Sequence, residues 1–250
     1  MRTVYRMGLS LTACLAALLI VCAAFDGLCQ SSHSVSAKGL SSANFDPSGN
    51  YRIIAASDPD GGNYTGKVSI SKNADAYRVT WALPDGGAYE GVAVLMNDTL
   101  AIGWSSARDT LPRGVVAYKI QGGKLSGRWT LAGMKGAVGT EELEGAPGLQ
   151  GSYRIVRSTV PGQSGGYSGT VNITPNGDTY ILEWKLNSGE NYKGVGIRQG
   201  DVLAVGWSVG VKPGQNAASV ATYRPKGAGL EGVWGMPGLK RLGSETLAKE

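Results

Sequence analysis

The chain has 250 residues, of which 39 are glycine, 42% are hydrophobic and only 17% are charged. So much glycine disfavours a helical bundle, because glycine inside a helix costs ~1 kcal/mol relative to alanine, while the hydrophobic share is large enough for a packed core and disfavours wholesale disorder. Twenty-four Lys and Arg against 19 Asp and Glu give a formal net charge of +5, with no basic cluster beyond Lys240-Arg241, so no nucleic-acid partner is expected.

Arg2 and Arg6 precede an uncharged apolar run from Leu9 to Ala24 that ends in Cys22-Ala23-Ala24. This is the pattern of a secretory signal peptide over residues 1–24, with a second candidate cleavage point as late as residue 29. The run is short against the ~20 residues a span needs, so no membrane span is expected in the mature chain. Cys14, Cys22 and Cys29 all lie in or beside this leader, which leaves no disulfide or thiolate site for the folded part. Residues 30–49 are rich in serine and read as a flexible spacer; His33, the only histidine, lies inside it.

Beyond the spacer the chain repeats itself. Tyr51, Tyr64, Tyr77, Tyr89 and Tyr118 are answered by Tyr153, Tyr167, Tyr180, Tyr192 and Tyr223, and Trp81, Trp104 and Trp129 by Trp184, Trp207 and Trp234. The offset grows from 102 at the first pair to 105 at the last, and Gly66, Gly91, Gly103 and Gly127 pair in the same way with Gly169, Gly194, Gly206 and Gly232. Two units therefore follow one another, 51–143 and 152–247, joined by a linker at 144–151.

Inside each unit the apolar residues alternate. Tyr64, Gly66, Val68 and Ile70 share one face against Thr65, Lys67 and Ser69, and Tyr180, Leu182 and Trp184 share one against Ile181, Glu183 and Lys185. Period-two alternation marks antiparallel strands with one face buried, and Asn97-Asp98, Gly122-Gly123, Asn176-Gly177 and Gly200-Asp201 supply tight turns. About eight strands per unit are predicted. The fold class is all-β, each unit a small eight-stranded up-and-down barrel of calycin or avidin type, which hides its strand edges; a β-sandwich or a MORN-like hairpin ribbon is the alternative. Tyr77, Trp81, Trp104, Trp129, Tyr180, Trp184, Trp207 and Trp234 are the predicted core. Glu141 and Glu245 end their units and Arg52 and Arg154 begin them, so Arg52–Glu141 and Arg154–Glu245 are predicted to bridge the closing strands.

The succession Gly-x-Tyr-Arg, Tyr-x-Gly-x-Val, Tyr-x3-Trp, Leu-Ala-x-Gly-Trp, Leu-x-Gly-x-Trp and Gly-x-Glu-x-Leu resembles small secreted bacterial β-proteins often labelled "fibronectin-binding". That resemblance covers nearly all of both units. It implies adhesion by analogy and transfers no site residue.

The chemistry-bearing residues are few. With His33 in the spacer and every cysteine in or beside the leader, triads, Cys–His pairs and His-containing metal sites are excluded. Asp58-Pro59-Asp60-Gly61-Gly62-Asn63 resembles a calcium loop without the remaining ligands and reads as a turn; Asp75, Asp98, Asp178 and Asp201 also sit beside turns. No catalytic residue, cofactor or metal is expected. The expectation is an exported, non-enzymatic binding or surface protein, secreted or periplasmic, whose partner is an extracellular or envelope protein or polysaccharide. The alternative is a carrier holding a small ligand in the barrel mouth.

Overall fold

The computed structural model describes residues 45–145, 147–209 and 218–250. The leader and most of the spacer lie outside these residues. The spacer's last residues do not behave as linker: Pro47 is buried, Phe45 packs against a hydrophobic core, and Tyr51 donates its hydroxyl to the Pro47 carbonyl at 2.8 Å.

The described residues are all-β. The first repeat supplies β1 (Gly49–Ser57), β2 (Gly66–Asn73), β3 (Ala76–Ala82), β4 (Ala88–Met96), β5 (Thr99–Ser106), β6 (Arg113–Ile120), β7 (Lys124–Leu131) and β8 (Gly139–Gly145). The second supplies β9 (Gly151–Thr159), β10 (Gly169–Asn176), β11 (Thr179–Leu186), β12 (Asn191–Gln199), β13 (Val202–Ser208), β14 (Ser219–Lys226), β15 (Gly229–Gly235) and β16 (Gly243–Lys249). Alternation makes them strands: in β2, Val68 and Ile70 are buried while Lys67, Ser69 and Ser71 face out. Two-residue turns join β4 to β5 and β12 to β13, with Asn97 (φ 56°) and Gly200 (φ 63°) at equivalent left-handed positions.

The sixteen strands form two closed, eight-stranded antiparallel barrels. Barrel and repeat do not coincide: the repeats at 51–143 and 152–247 supply eight strands each, but neither closes a barrel from its own strands alone. The first barrel runs β1-β16-β15-β14-β5-β4-β3-β2, and the second β10-β11-β12-β13-β6-β7-β8-β9. Each takes five strands from one repeat and three from the other. Beside β5, where β6 of the same repeat was expected, lies its equivalent β14, with Ala221 opposite Ile102; β6 lies beside β13, with Val116 opposite Val205. The physical reason is that β6 and β14 offer the same inward pattern to the same kind of neighbour. In the chain, the second barrel is continuous, β6 to β13, and is inserted between β5 and β14 of the first.

Each barrel encloses its own core. A third cluster lies between them, formed by Val94, Ala101 and Val220 of the first barrel with Val115, Ala117, Val195, Ile197, Val202 and Ala204 of the second. β5 and β13 are therefore buried on both faces over Thr99–Gly103 and Val202–Gly206. Glycine permits close approach there: a Cβ on Gly103 would lie 2.0 Å from the Gly114 carbonyl oxygen, and one on Gly206 2.1 Å from that of Ser219.

Candidate functional site: two aromatic cavities with a buried carboxylate

The strand exchange makes each barrel interior a composite. In the first, Tyr64, Trp81, Tyr89 and Trp104 come from the first repeat and Tyr223, Trp234 and Glu245 from the second. In the second, Tyr167, Trp184, Tyr192 and Trp207 come from the second repeat and Tyr118, Trp129 and Glu141 from the first. All seven positions are repeat-equivalent.

A local device sets each glutamate. Tyr118, Gly127 and Glu141 are register partners on three successive strands, β6, β7 and β8, as are Tyr223, Gly232 and Glu245 on β14, β15 and β16. A Cβ on Gly127 would lie 2.7 Å from the Tyr118 ring, and one on Gly232 2.3 Å from the Tyr223 ring. The missing side chain lets each tyrosine lie across its glycine and donate to the carboxylate beyond.

Glu245 accepts from Tyr64 at 2.7 Å on Oε1 and from Tyr223 on Oε2. Trp234 donates its indole N–H to the Tyr64 hydroxyl at 2.7 Å, and Trp81 donates to the Tyr223 hydroxyl at 2.9 Å. Glu141 accepts on Oε1 from Tyr118 and, at 3.2 Å, from the Trp184 indole. Burial pushes both carboxyl groups above their ordinary value, against the opposing pull of these hydrogen bonds. Burial, reinforced by the neighbouring glutamate, also raises the Tyr64, Tyr118, Tyr167 and Tyr223 hydroxyls, which therefore remain donors. No Lys or Arg pairs with Glu141 or Glu245 among the described residues.

Above each carboxylate the aromatic rings wall a cavity, of about 250 Å³ in the first barrel and about 480 Å³ in the second. Trp104 meets Trp234 at 6.0 Å and Tyr89 at 5.3 Å between ring centroids; the equivalent Trp207 meets Trp129 at 6.2 Å and Tyr192 at 5.6 Å. All four contacts are edge-on, the arrangement aromatic quadrupoles favour.

Of the predicted core, Tyr77, Trp81, Trp129 and Trp184 are buried. Trp104, Trp207, Trp234 and Tyr180 are only half-buried, the three tryptophans because they wall a space they do not fill. The predicted closing bridges do not form. Arg52 is exposed on β1 opposite Ala248, and Arg154 is exposed on β9 opposite Glu144. Glu141 lies in the other barrel from Arg52, and Glu245 in the other barrel from Arg154. Strand exchange separates the partners, and strand phase turns the glutamates inward and the arginines outward. Sequence reasoning missed the glutamates' role, although Glu141 is in phase with buried Leu143 and Glu245 with buried Leu247.

Asp58 forms the expected turn, its Oδ1 accepting from the Asp60 and Gly62 amides at 2.9 Å each. No cluster of His, Cys, Asp and Glu suited to a metal is present among the described residues. Comparison of the chain with protein-family models, curated proteins and solved structures finds no match.

Proposed function

We propose that this is an exported, non-enzymatic binding protein that takes a small, largely apolar ligand into each of its two barrel cavities. The observation that carries this reading is the equivalence of the cavities: seven matched residues, drawn from both repeats, build the same aromatic chamber twice. Barrel mouths and concave apolar pockets with a few convergent polar groups are common ligand sites. Half-buried Trp104 and Trp207 favour this carrier reading over one in which the aromatics only fill a core. Export rests on the leader pattern at residues 1–24.

Titrating the full chain with the neutral fluorophore N-phenyl-1-naphthylamine tests it. Saturable binding is expected, with Trp104→Ala weakening one site and Trp207→Ala the other. Fluorescence that rises without saturation, and is indifferent to both substitutions, would overturn the reading.

A further inference from the structure

We propose that the ligand of both cavities is an organic cation, a small amine or quaternary ammonium compound, held between the buried glutamate and the aromatic walls. This rests on the reading of the cavities as ligand sites and adds the charge of what enters them.

Three observations point the same way. A buried charge is normally paired, because leaving it unpaired costs several kcal/mol; Glu141 and Glu245 are 2% and 7% exposed and receive only neutral donors. An ionised carboxylate has about four acceptor positions, and two donors occupy each of these, so acceptor capacity remains for a guest. Next, every charged residue lining either cavity is acidic: Asp58 and Glu245 in the first, Glu141 and Glu190 in the second. That runs against a composition of 24 Lys and Arg to 19 Asp and Glu. Finally, the walls are indole and phenol rings, whose electron-rich faces attract cations, tryptophan most strongly.

An anion entering either cavity adds to the cost of ionising the buried carboxyl group, and a neutral guest does nothing to offset that cost. A cation neutralises the carboxylate and gains the aromatic faces, and a hydroxyl or carbonyl on the same molecule has an acceptor's place at the buried, unpartnered indole N–H of Trp104 or Trp129.

Calorimetry of the full chain with choline and with 3,3-dimethylbutan-1-ol, its uncharged carbon isostere, separates charge from shape. Choline is expected to bind about ten-fold more tightly or better. Glu141→Gln combined with Glu245→Gln is expected to reduce that preference to about two-fold or less. The wild-type ratio needs no variant, so the test survives if the double substitution does not fold. Equal binding of the two probes overturns the cation and leaves the cavities as ligand sites. Binding of neither, while N-phenyl-1-naphthylamine still saturates, also overturns only the cation; failure of all three overturns both readings.

Discussion

The two barrels hold the same seven groups around their cavities and wire them differently. In the first, Trp81 and Trp234 reach Glu245 through the hydroxyls of Tyr223 and Tyr64, so that four rings are tied to one carboxylate. In the second, Trp184 donates directly to Glu141, and the indole N–H of Trp129, the equivalent of Trp234, is buried without a partner. The smaller cavity is the one whose lining holds the Trp234–Tyr64 bond. The larger one adds Met134, Gln163, Gly166 and Ser188 to its lining. Duplication has preserved which residues point inward, because strand phase fixes that. The hydrogen bonds among them depend on ring positions, which phase does not fix.

The barrels also differ in how the chain builds them, and breaking the chain gives the largest expected effect. The second barrel needs only β6 to β13, whereas the first needs strands from both ends. A fragment of residues 110–209 is expected to fold alone, with dispersed amide signals and a cooperative thermal transition. A fragment of residues 48–145 holds five strands of one barrel and three of the other. It is expected to run as a dimer by light scattering, two copies restoring both barrels. A monomeric 48–145 with a cooperative transition would restore one barrel per repeat.

Tryptophan truncation gives the next largest effect and separates wall from core. Trp81 and Trp184 are 7% and 6% exposed, and their replacement by alanine is expected to cost ~3–5 kcal/mol by denaturant unfolding. Trp184→Ala should be the costlier of the two, because it also removes a direct donor to Glu141. Trp104→Ala and Trp207→Ala enlarge an existing space and are expected to cost below ~2 kcal/mol. Equal costs at all four positions would make the cavity walls ordinary core.

Much of this architecture is legible in the residues. The paired tyrosines and tryptophans give the duplication, the alternation around Val68 and Ile70 gives the strands, and Asn97-Asp98 and Gly200-Asp201 give hairpins that form as expected. The choice of neighbour for β5 is not legible, since β6 and β14 offer the same inward succession of a small or apolar residue followed by tyrosine, Val116 and Tyr118 in one and Ala221 and Tyr223 in the other. The exchange instead leaves a trace in packing between barrels: Gly103 against Gly114 and Gly206 against Ser219 each join consecutive strands of one repeat that have gone to different barrels. The glutamates had a readable signal, their phase with Leu143 and Leu247. A charge in that phase reads as a surface residue until the tyrosine-over-glycine device beside it is recognised.

The buried carboxylates also make a pH prediction. Their folded values are raised above the ordinary 4.5, chiefly by burial. A raised acid contributes stability that is fully present below its unfolded value and is lost as pH rises through the folded value. Asp46, Glu144 and Glu190 are lowered by local hydrogen bonds and act in the opposite direction, so the informative quantity is a difference between proteins. Relative to Glu141→Gln with Glu245→Gln, the wild type is expected to lose stability as pH rises from about 4.5. Parallel curves of melting temperature against pH would mean that the glutamates titrate in the folded barrel as they do in the unfolded chain.

The smallest effect addresses the wiring itself. Trp234→Phe and Trp129→Phe remove the same atoms from equivalent positions on β15 and β7. In the first barrel the lost indole N–H is a donor to Tyr64 at 2.7 Å, and its removal leaves that hydroxyl bonded only to Glu245. In the second barrel the lost N–H has no partner, so its removal takes away an unsatisfied buried donor. The packing loss is similar in the two variants and cancels in the comparison. What remains is one hydrogen bond on one side and relief of a desolvation penalty on the other, so Trp234→Phe should be the more destabilising by ~1 kcal/mol or somewhat more. The Tyr64 hydroxyl, released from one tie, should also let the first cavity widen toward the second. Choline affinity at the two sites is then expected to converge in Trp234→Phe and to stay apart in Trp129→Phe. Identical stabilities for the two variants would place the difference in cavity size with the residues of the rim, Met134, Gln163 and Ser188, and take it away from the Trp234–Tyr64 bond.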